Sequence, residues 1–300
     1  MKRKVIQIAD STQLISLPRK WAVKYGIKKG DELDIIEEGD KLTIKTESEQ
    51  ESESKLIDLR QLKDFRNRTI IAAYLHGYDE LEVSYDTDEW SRKLQELVSE
   101  LPGYDIIRQG MNSCTIKEVS KPSPKEFENM ANRLFLSLHE SGEYLIEAAS
   151  NNYSDAIESI KFRDYRLHKN INFCKRIINK RKDGKIESTI LYSTITLLEH
   201  YGDAIKDLAI ALVGYKGKVS KEVLESLREI NDIFKGVYKL YQVRSIAIVK
   251  ENANKLKSAI AKINSLYEVQ KKIDQNIYYR LKLFYELTGK IQESLLPIIV

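Results

Sequence analysis

The segment Ser16-Leu17-Pro18-Arg19-Lys20-Trp21 decides how the first part of this 300-residue chain folds. Pro18 suits the start of a helix, because its missing N–H would have no partner in the first helical turn. The spacing predicts a short helix over residues 19–25, and Gly26 is typical of the residue that ends a helix. The segment is therefore expected to lead directly from a strand into a helix.

Short strands are predicted on both sides of this helix. Residues 4–9 alternate apolar and polar side chains, as a half-buried strand does, and residues 14–17 indicate a second strand. After the helix, residues 32–37 and 41–45 flank a tight connection and predict a hairpin. Four strands and one short helix bury little apolar surface by themselves, so we expect a partner chain to complete the core.

Charge is distributed unevenly along this part of the sequence, although the whole chain carries a formal net charge of only +4. The first thirty residues contain eight lysines and arginines against one acid. Residues 31–54 reverse this sign, with ten acids against two lysines. A concentrated basic patch favours an anionic partner such as DNA. The alternative is that both runs are ordinary solvated surface.

The order of these elements, with Ile15-x-Leu17-Pro18, Gly26-Ile27 and Gly30-Asp31 at their turns, resembles the AbrB/SpoVT/MazE class of DNA-binding domain. The resemblance covers residues 1–47 and implies an interleaved dimer of swapped hairpins that binds DNA. It assigns DNA contact to basic residues near the N-terminus and around the Leu-Pro loop. The matching positions here are Lys2, Arg3, Lys4, Arg19 and Lys20, with Lys24 one helical turn further on. Arg3 or Arg19 is the candidate for base recognition, since arginine can bind a base edge with two hydrogen bonds. The alternative for each lysine is a solvated surface residue.

The composition after this N-terminal domain (the head) predicts a linker and a second small domain. Residues 1–46 form the first predicted domain, and residues 47–55 are acidic and low in complexity, which is typical of a flexible linker. Residues 56–121 predict a small α/β unit without a catalytic constellation. Its expected elements are a helix over residues 56–77, a strand over 80–85, a helix over 90–101 and a strand pair over 104–108 and 113–119.

Long amphipathic helices occupy the rest of the sequence. Apolar stripes and their breaks predict three helices of about 25–30 residues over residues 122–216, and three of comparable length over residues 217–300. A period of about ninety residues indicates an internal duplication. The predicted fold class is therefore mixed and mainly α. It combines a β-rich swapped-hairpin head, a small α/β unit and a pair of three-helix bundles.

One pair of carboxylates in the third bundle helix is a candidate for chemistry. Glu199 and Asp203 stand four positions apart, so they are neighbours on one helical face, on the far side of the apolar stripe. Hard oxygen ligands of this kind suit iron, magnesium, calcium or manganese. The alternative is that they are two solvated carboxylates balanced by Lys206.

The pattern Glu199-x-x-Gly202-Asp203, in the third helix of a repeated three-helix bundle, resembles the PhoU family of phosphate-uptake regulators. This resemblance covers about residues 125–300. It implies a metal cluster held by an acidic motif in each repeat, helped by acids on a neighbouring helix. Asp164 stands where the neighbouring helix would contribute.

The second repeat departs from the family pattern. Its equivalent segment places Lys290 where the family has an aspartate, four positions after Glu286. The resemblance therefore implies at most one reduced metal site, formed by Asp164, Glu199 and Asp203, for a divalent or iron cation. No other cofactor is expected.

Several classes of protein are excluded by what the sequence lacks. Cys114 and Cys174 lie far apart without a pairing pattern, so neither a disulfide framework nor a zinc site is indicated. No apolar run approaches eighteen residues and no apolar region follows the basic N-terminus, so we expect a cytoplasmic protein without membrane insertion. We find no nucleophile beside a base and no phosphate-cradling glycine loop, so we expect no enzyme.

These features predict a DNA-binding transcriptional regulator of phosphate uptake or a related nutrient response, in which the bundle receives a signal. The predicted partners are DNA, a second copy of the chain, and phosphate-transporter components or a signalling protein. The fusion of such a head to such a bundle resembles an archaeal arrangement. The alternative is a PhoU-like regulator that docks a phosphate transporter or its signalling partner and uses its head only to dimerise. An antitoxin fits poorly, because its head is normally followed by a short disordered tail.

Overall fold

A computed structural model describes residues 2–8, 12–39, 41–46, 53–120, 124–151, 156–181, 185–213, 215, 219–269 and 274–300. The chain divides into two compact units, Met1–Ser52 and Glu53–Val300. The first unit contains two small hairpins, and the second contains an α/β part followed by long helices. The predicted class, mixed and mainly α, is confirmed.

The N-terminal unit consists of two hairpins and one short helix. The first hairpin pairs β1 (Val5–Ile8) with β2 (Thr12–Ile15), and the second pairs β3 (Asp34–Glu38) with β4 (Lys41–Lys45). Helix α1 (Arg19–Lys24) lies between the hairpins in the sequence. Gly26 follows it with a φ of 63°, a left-handed conformation that glycine adopts without strain. The predicted strands and helix are confirmed, with small shifts of their ends.

The N-terminal unit has no interior of its own. None of its described residues is buried, and large apolar side chains of its strands are between 45% and 67% exposed. These side chains are Val5, Ile6, Ile8, Leu14, Ile15, Ile35 and Leu42. The two hairpins also form separate two-stranded sheets. A single copy therefore leaves the apolar surface of its strands in water, which is unfavourable.

The second unit begins with a four-stranded sheet in the order β5-β6-β8-β7. Strands β5 (Ser54–Asp58) and β6 (Glu80–Ser84) are parallel, and β8 (Ser113–Glu118) is antiparallel to both β6 and β7 (Tyr104–Gln109). Helices α2 (Arg66–His76) and α3 (Asp88–Ser99) complete this part. Its core is formed by Leu59, Ile70, Tyr74, Leu81, Val83, Leu94 and Ile116.

The helix predicted over residues 56–77 is wrong in its first part. Ser54–Asp58 is a strand that pairs with β6, and two short 3₁₀ turns separate it from α2. Leu56 is exposed whereas Ile57 is buried, which is the alternation of a strand. The strand begins within the range 47–55 that the sequence predicts as linker, of which residues 47–52 lie outside the described residues. Long-range pairing with β6 has overridden the local helical pattern.

Among the described residues, six long helices form most of the remainder of the second unit. They are α4 (Pro124–Asn151), α5 (Ala156–Arg181), α6 (Ile186–Val213), α7 (Lys221–Val243), α8 (Ile246–Asn264) and α9 (Gln275–Leu295). The first three pack against one another, as do the last three, and contacts of α6 with α9 and of α4 with α7 join the two sets. A single apolar cluster runs through both sets. The predicted pair of three-helix bundles is confirmed.

The ends of the helices in the second bundle follow from local chemistry. Ser220 caps α7 by accepting a hydrogen bond from the backbone N–H of Val223, and Asp274 caps α9 in the same way. Arg244 ends α7 with a left-handed φ of 53°. No helix among the described residues combines the length and apolar character that a membrane span requires.

Arg176 of α5 fixes the α/β part to the first bundle. This side chain is 1% exposed, and its guanidinium donates to the backbone oxygens of Tyr74 and Tyr78 at 2.6 and 2.8 Å. It also donates to Glu118 of β8 at 3.0 Å, and Lys180 donates to the other oxygen of that carboxylate. A buried charge is tolerated only when such partners surround it. Arg176 therefore determines how the sheet sits on α5.

Replacing Arg176 by methionine should lower the free energy of unfolding by about 3 kcal/mol or more, because Glu118 and two carbonyl groups would lose a buried partner. Urea denaturation at neutral pH measures this change. Arg133→Met, at an exposed position of α4, is the matched control and should change stability by less than about 0.5 kcal/mol. A loss for Arg176→Met as small as that of the control would contradict the assigned role.

Candidate functional site

The predicted DNA-binding residues extend from one end of the β1–β2 hairpin. Val5 pairs with Ile15 at the open end of this hairpin. Residues 2–4 precede Val5, and Arg19 and Lys20 form the start of α1 shortly after Ile15. The backbone register therefore brings the two predicted basic groups to the same end of one hairpin, and all of their residues are exposed.

The charges of these basic residues are not neutralised by neighbours within the described part of the chain. None of Lys2, Arg3, Lys4, Arg19, Lys20 and Lys24 forms an ion pair there. Lys24, the last residue of α1, places its ammonium 5.2 Å from the centre of the Tyr25 ring. Tyr25 in turn packs on Trp21, with ring centres 5.4 Å apart. Lys24 is thus held beside an aromatic pair, and the DNA contacts themselves stay a prediction.

A carboxylate cluster lies where α5 packs on α6. Asp164 and His168 of α5 and Asp203 of α6 place potential ligand atoms within 4.8 Å of one another. Gly202 permits the close approach of the two helices, because a Cβ at this position would lie 2.3 Å from a methyl carbon of Leu167. The structure therefore brings together Asp164 and Asp203, two of the three predicted ligands.

Glu199 belongs to the edge of this cluster. Lys175 of α5 donates to Glu199 Oε2 at 2.5 Å, while Glu199 Oε1 lies 3.7 Å from His168 Nε2. Glu199 therefore approaches the cluster beside His168, at a distance longer than a hydrogen bond. The face of α6 that carries Glu199 and Asp203 lies opposite the apolar stripe, as the sequence indicates, but it faces α5. Both side chains are consequently half-buried.

Two members of the cluster were not assigned as ligands from the sequence. His168 follows Asp164 by four positions, which places both on one helical face. This spacing is the feature of the sequence from which His168 could have been predicted. Its Nδ1 lies 2.9 Å from the backbone oxygen of Asp164, which leaves Nε2 directed toward Glu199. Lys206, considered from the sequence as a balancing charge, donates to Asp164 Oδ2 at 2.7 Å and to Asp203 Oδ1 at 2.8 Å.

Lys206 acts as a built-in cation of the cluster. Burial alone would lower the pKa of Lys206, but its hydrogen bonds to Asp164 and Asp203 outweigh burial and raise this pKa above its ordinary value. The ammonium therefore stays charged at neutral pH between the two carboxylates. Any metal ion at this place would compete with Lys206.

The residues of the cluster nevertheless fit a divalent cation. Asp164 Oδ1 is buried without a hydrogen-bond partner among the described residues. A void of about 20 Å³, large enough for about one water molecule, borders Asp164 and Gly202 on the side of α4, but His168 and Asp203 do not line it. Two carboxylates and one imidazole suit manganese, iron or zinc. In the second repeat, Glu286 and Lys290 are both exposed, and the described residues gather no comparable ligand group there.

Comparisons with known proteins give a family match and a structural match. Residues 6–51 match the family model of the antidote-toxin recognition protein MazE, a bacterial antitoxin. Among solved structures, the phosphate transport system regulatory protein PhoU from Streptococcus pneumoniae matches with a TM-score of 0.47 and 11% identity, over 58% of this chain and 90% of that chain. No curated protein matches significantly. The family match overlaps the segment of residues 1–47 that resembles the AbrB/SpoVT/MazE class.

Replacing Lys206 by methionine should raise the affinity of the cluster for Mn²⁺ by about tenfold or more, because the ammonium no longer occupies the two carboxylates. Isothermal titration of the metal-stripped full chain measures this affinity. Lys161→Met, at an exposed position of α5, is the matched control and should bind Mn²⁺ as the unaltered chain does. Equal affinity in Lys206→Met and the control would contradict competition between Lys206 and a metal.

Proposed function

We propose that this chain is a DNA-binding transcriptional regulator whose N-terminal unit is a dimeric DNA-binding domain. The observation that carries this proposal is what a single copy of that unit leaves exposed. It exposes the apolar side chains of all four strands and presents basic residues without ion pairs in its described part. The exposed apolar side chains call for a second chain that covers them. The basic residues without ion pairs call for an anionic ligand.

A second copy is the partner that the exposed strands require. Burying one large aliphatic side chain contributes about 1.5–3 kcal/mol, so covering the exposed side chains of β1 to β4 supplies a substantial part of the stability of a small domain. A two-fold axis lets the same hairpins supply both sides of the interface. The match of residues 6–51 to the MazE model supports this arrangement, since the resemblance implies swapped hairpins.

DNA is the proposed anionic ligand of the basic end of the β1–β2 hairpin. Lysines and arginines bind phosphates through charge, and their contacts release counterions, so affinity falls as salt rises. Arg3 or Arg19 is proposed to recognise a base edge in the major groove, as arginine binds guanine with two hydrogen bonds. A dimer presents two such ends, which favours a site with two-fold symmetry.

The second unit is proposed to receive the signal that controls the head. The resemblance of the Glu199–Asp203 segment to the PhoU pattern supports a response to phosphate uptake or a related nutrient. The proposed domains are residues 1–46, 53–121, 122–216 and 217–300, with residues 47–52 as the acidic linker, because the second unit begins at Glu53 and β5 at Ser54. A transporter component or a signalling protein in the cytoplasm would bind the bundles, and a divalent cation at Asp164, His168 and Asp203 would add charge there. The role includes no catalytic step.

Replacing both Arg19 and Lys20 by alanine should weaken DNA binding by about tenfold or more and should reduce the magnitude of the slope of log affinity against log salt by about two to four, because the proposed dimer loses two lysine contacts with phosphates and two arginine contacts with phosphate or base. Fluorescence anisotropy with duplexes from upstream of the chain's own gene and of phosphate-transport genes measures both quantities. The exposed α5 pair Lys161→Ala and Arg166→Ala is the matched control and should leave both unchanged.

The same variant separates the proposal from its main alternative. If the head serves only to dimerise and the chain docks a transporter, the unaltered chain will show no salt-sensitive binding to these duplexes. Transporter docking would then persist in the Arg19→Ala, Lys20→Ala variant. That result would contradict the regulator proposal and leave dimerisation standing.

A further inference from the structure

Strand β5 forms one open edge of the four-stranded sheet. It pairs with β6 on one side only, and Leu56 at its centre is 74% exposed. Ser54 and Lys55 are exposed as well. Neither the basic end of the head nor the carboxylate cluster uses this strand. An open edge presents unpaired backbone groups, and another strand can pair with them.

The backbone groups of β5 alternate between β6 and the open edge. The N–H of Glu80 donates to the backbone oxygen of Glu53 at 3.3 Å. With this register, the residues of β5 whose backbone groups point away from the sheet are Ser54 and Leu56. Within the described ranges, the backbone of these two residues forms no hydrogen bond across the open edge. Two donors and two acceptors are therefore available there.

The opposite edge of the sheet, formed by β7, is protected against such pairing. The N–H of Ile106 donates to the side chain of Asp105 at 2.8 Å. A bulge interrupts the ladder between Ile106 and Arg108, and the side chain of Gln109 donates to Ser91 of α3. Occupied donors and bulges of this kind keep an edge from pairing with another chain. In the described part of the chain, β5 has neither of these features.

We propose that β5 pairs with β5 of a second copy of the chain, antiparallel and across a two-fold axis at Leu56. In this alignment the backbone of each Leu56 donates to and accepts from the other. The two four-stranded sheets then join into one sheet of eight strands. The pairing rests on the proposed dimeric head, because that head brings the second copy.

The length of chain before β5 makes a second copy the favoured occupant of this edge. The second unit begins at Glu53, seven residues after Thr46, the last described residue of the head. Seven residues span at most about 25 Å. A dimeric head therefore keeps two β5 strands within reach of each other, at an effective concentration of about 1 mM, whereas a separate peptide would bind from solution.

The side chains of β5 suit this alignment. Leu56 lies opposite Leu56 of the second copy, and each covers apolar surface that is otherwise exposed. Lys55 lies opposite Ile57 of the second copy. Ser54 lies opposite Asp58, so no like charges face each other across the pair. An alignment centred on Lys55 would place two ammonium groups opposite each other, which disfavours it.

Disulfide cross-linking of the full chain tests this pairing. Opposite Cα atoms in a hydrogen-bonded antiparallel pair are about 5.5 Å apart, which is within the range that a disulfide requires. Under mild oxidation, Leu56→Cys should therefore form a dimer of twice 34.8 kDa that a reductant separates. The native cysteines, Cys114 and Cys174, are buried, so the unaltered chain should form no cross-linked dimer.

Ser54→Cys is the matched control, at an exposed position two residues away on the same strand. In the proposed alignment, four residues along the strand separate Ser54 from Ser54 of the second copy, a distance of about 14 Å. Ser54→Cys should therefore cross-link more slowly than Leu56→Cys by about tenfold or more. Equal or faster cross-linking of Ser54→Cys would overturn the proposed pairing.

Light scattering of the same samples, kept reduced, separates this outcome from failure of the dimeric head. A dimer in which Leu56→Cys cross-links no faster than Ser54→Cys would overturn the pairing of β5 and leave the dimeric head standing. A mass of 34.8 kDa at every concentration would overturn both proposals. A dimer that cross-links rapidly through Leu56→Cys alone is the result that we expect.

Discussion

The apolar side chains of strands β1 to β4 have no interior to enter in a single copy of this chain. No described residue of the N-terminal unit is buried, and its two hairpins do not share a sheet. The basic residues proposed to contact DNA depend on these hairpins, because the register of β1 with β2 brings them to one end. In the proposed dimer, folding of the head and assembly of two chains are therefore the same event.

The second unit obeys the opposite constraint, because its own residues complete its core. One apolar cluster joins all six long helices, and the buried Arg176 ties the sheet to α5 through Glu118. Such a unit is stable at any concentration of the chain, whereas the proposed head depends on concentration. In the proposed account, the chain joins bundles with a complete core to a head that a second copy completes. A signal bound to the bundles would then act on the head.

The sequence contains enough local information for the hairpins and the long helices, because apolar periodicity and turn residues specify them. It does not specify β5, since that strand depends on pairing with β6 more than twenty residues away. It also places Glu199 and Asp203 on the polar side of α6 without revealing that α5 covers this side. Lys206 pairs with Asp203 on its own helix, as one interpretation of the sequence allowed, but its contact with Asp164 joins α6 to α5, and no periodicity predicts that contact. Arg176 was missed for the same reason, since its partners lie in another part of the fold.

Hydrogen exchange of the backbone amides, combined with light scattering, tests the completion of the head by a second chain most directly. The account predicts that amides of β1 to β4 are protected only where the scattering mass is twice 34.8 kDa, and that dilution to single chains removes this protection. Helices α4 to α9 should stay protected throughout, because their core is complete in one chain. Protected amides in β1 to β4 of a 34.8 kDa monomer would contradict the account.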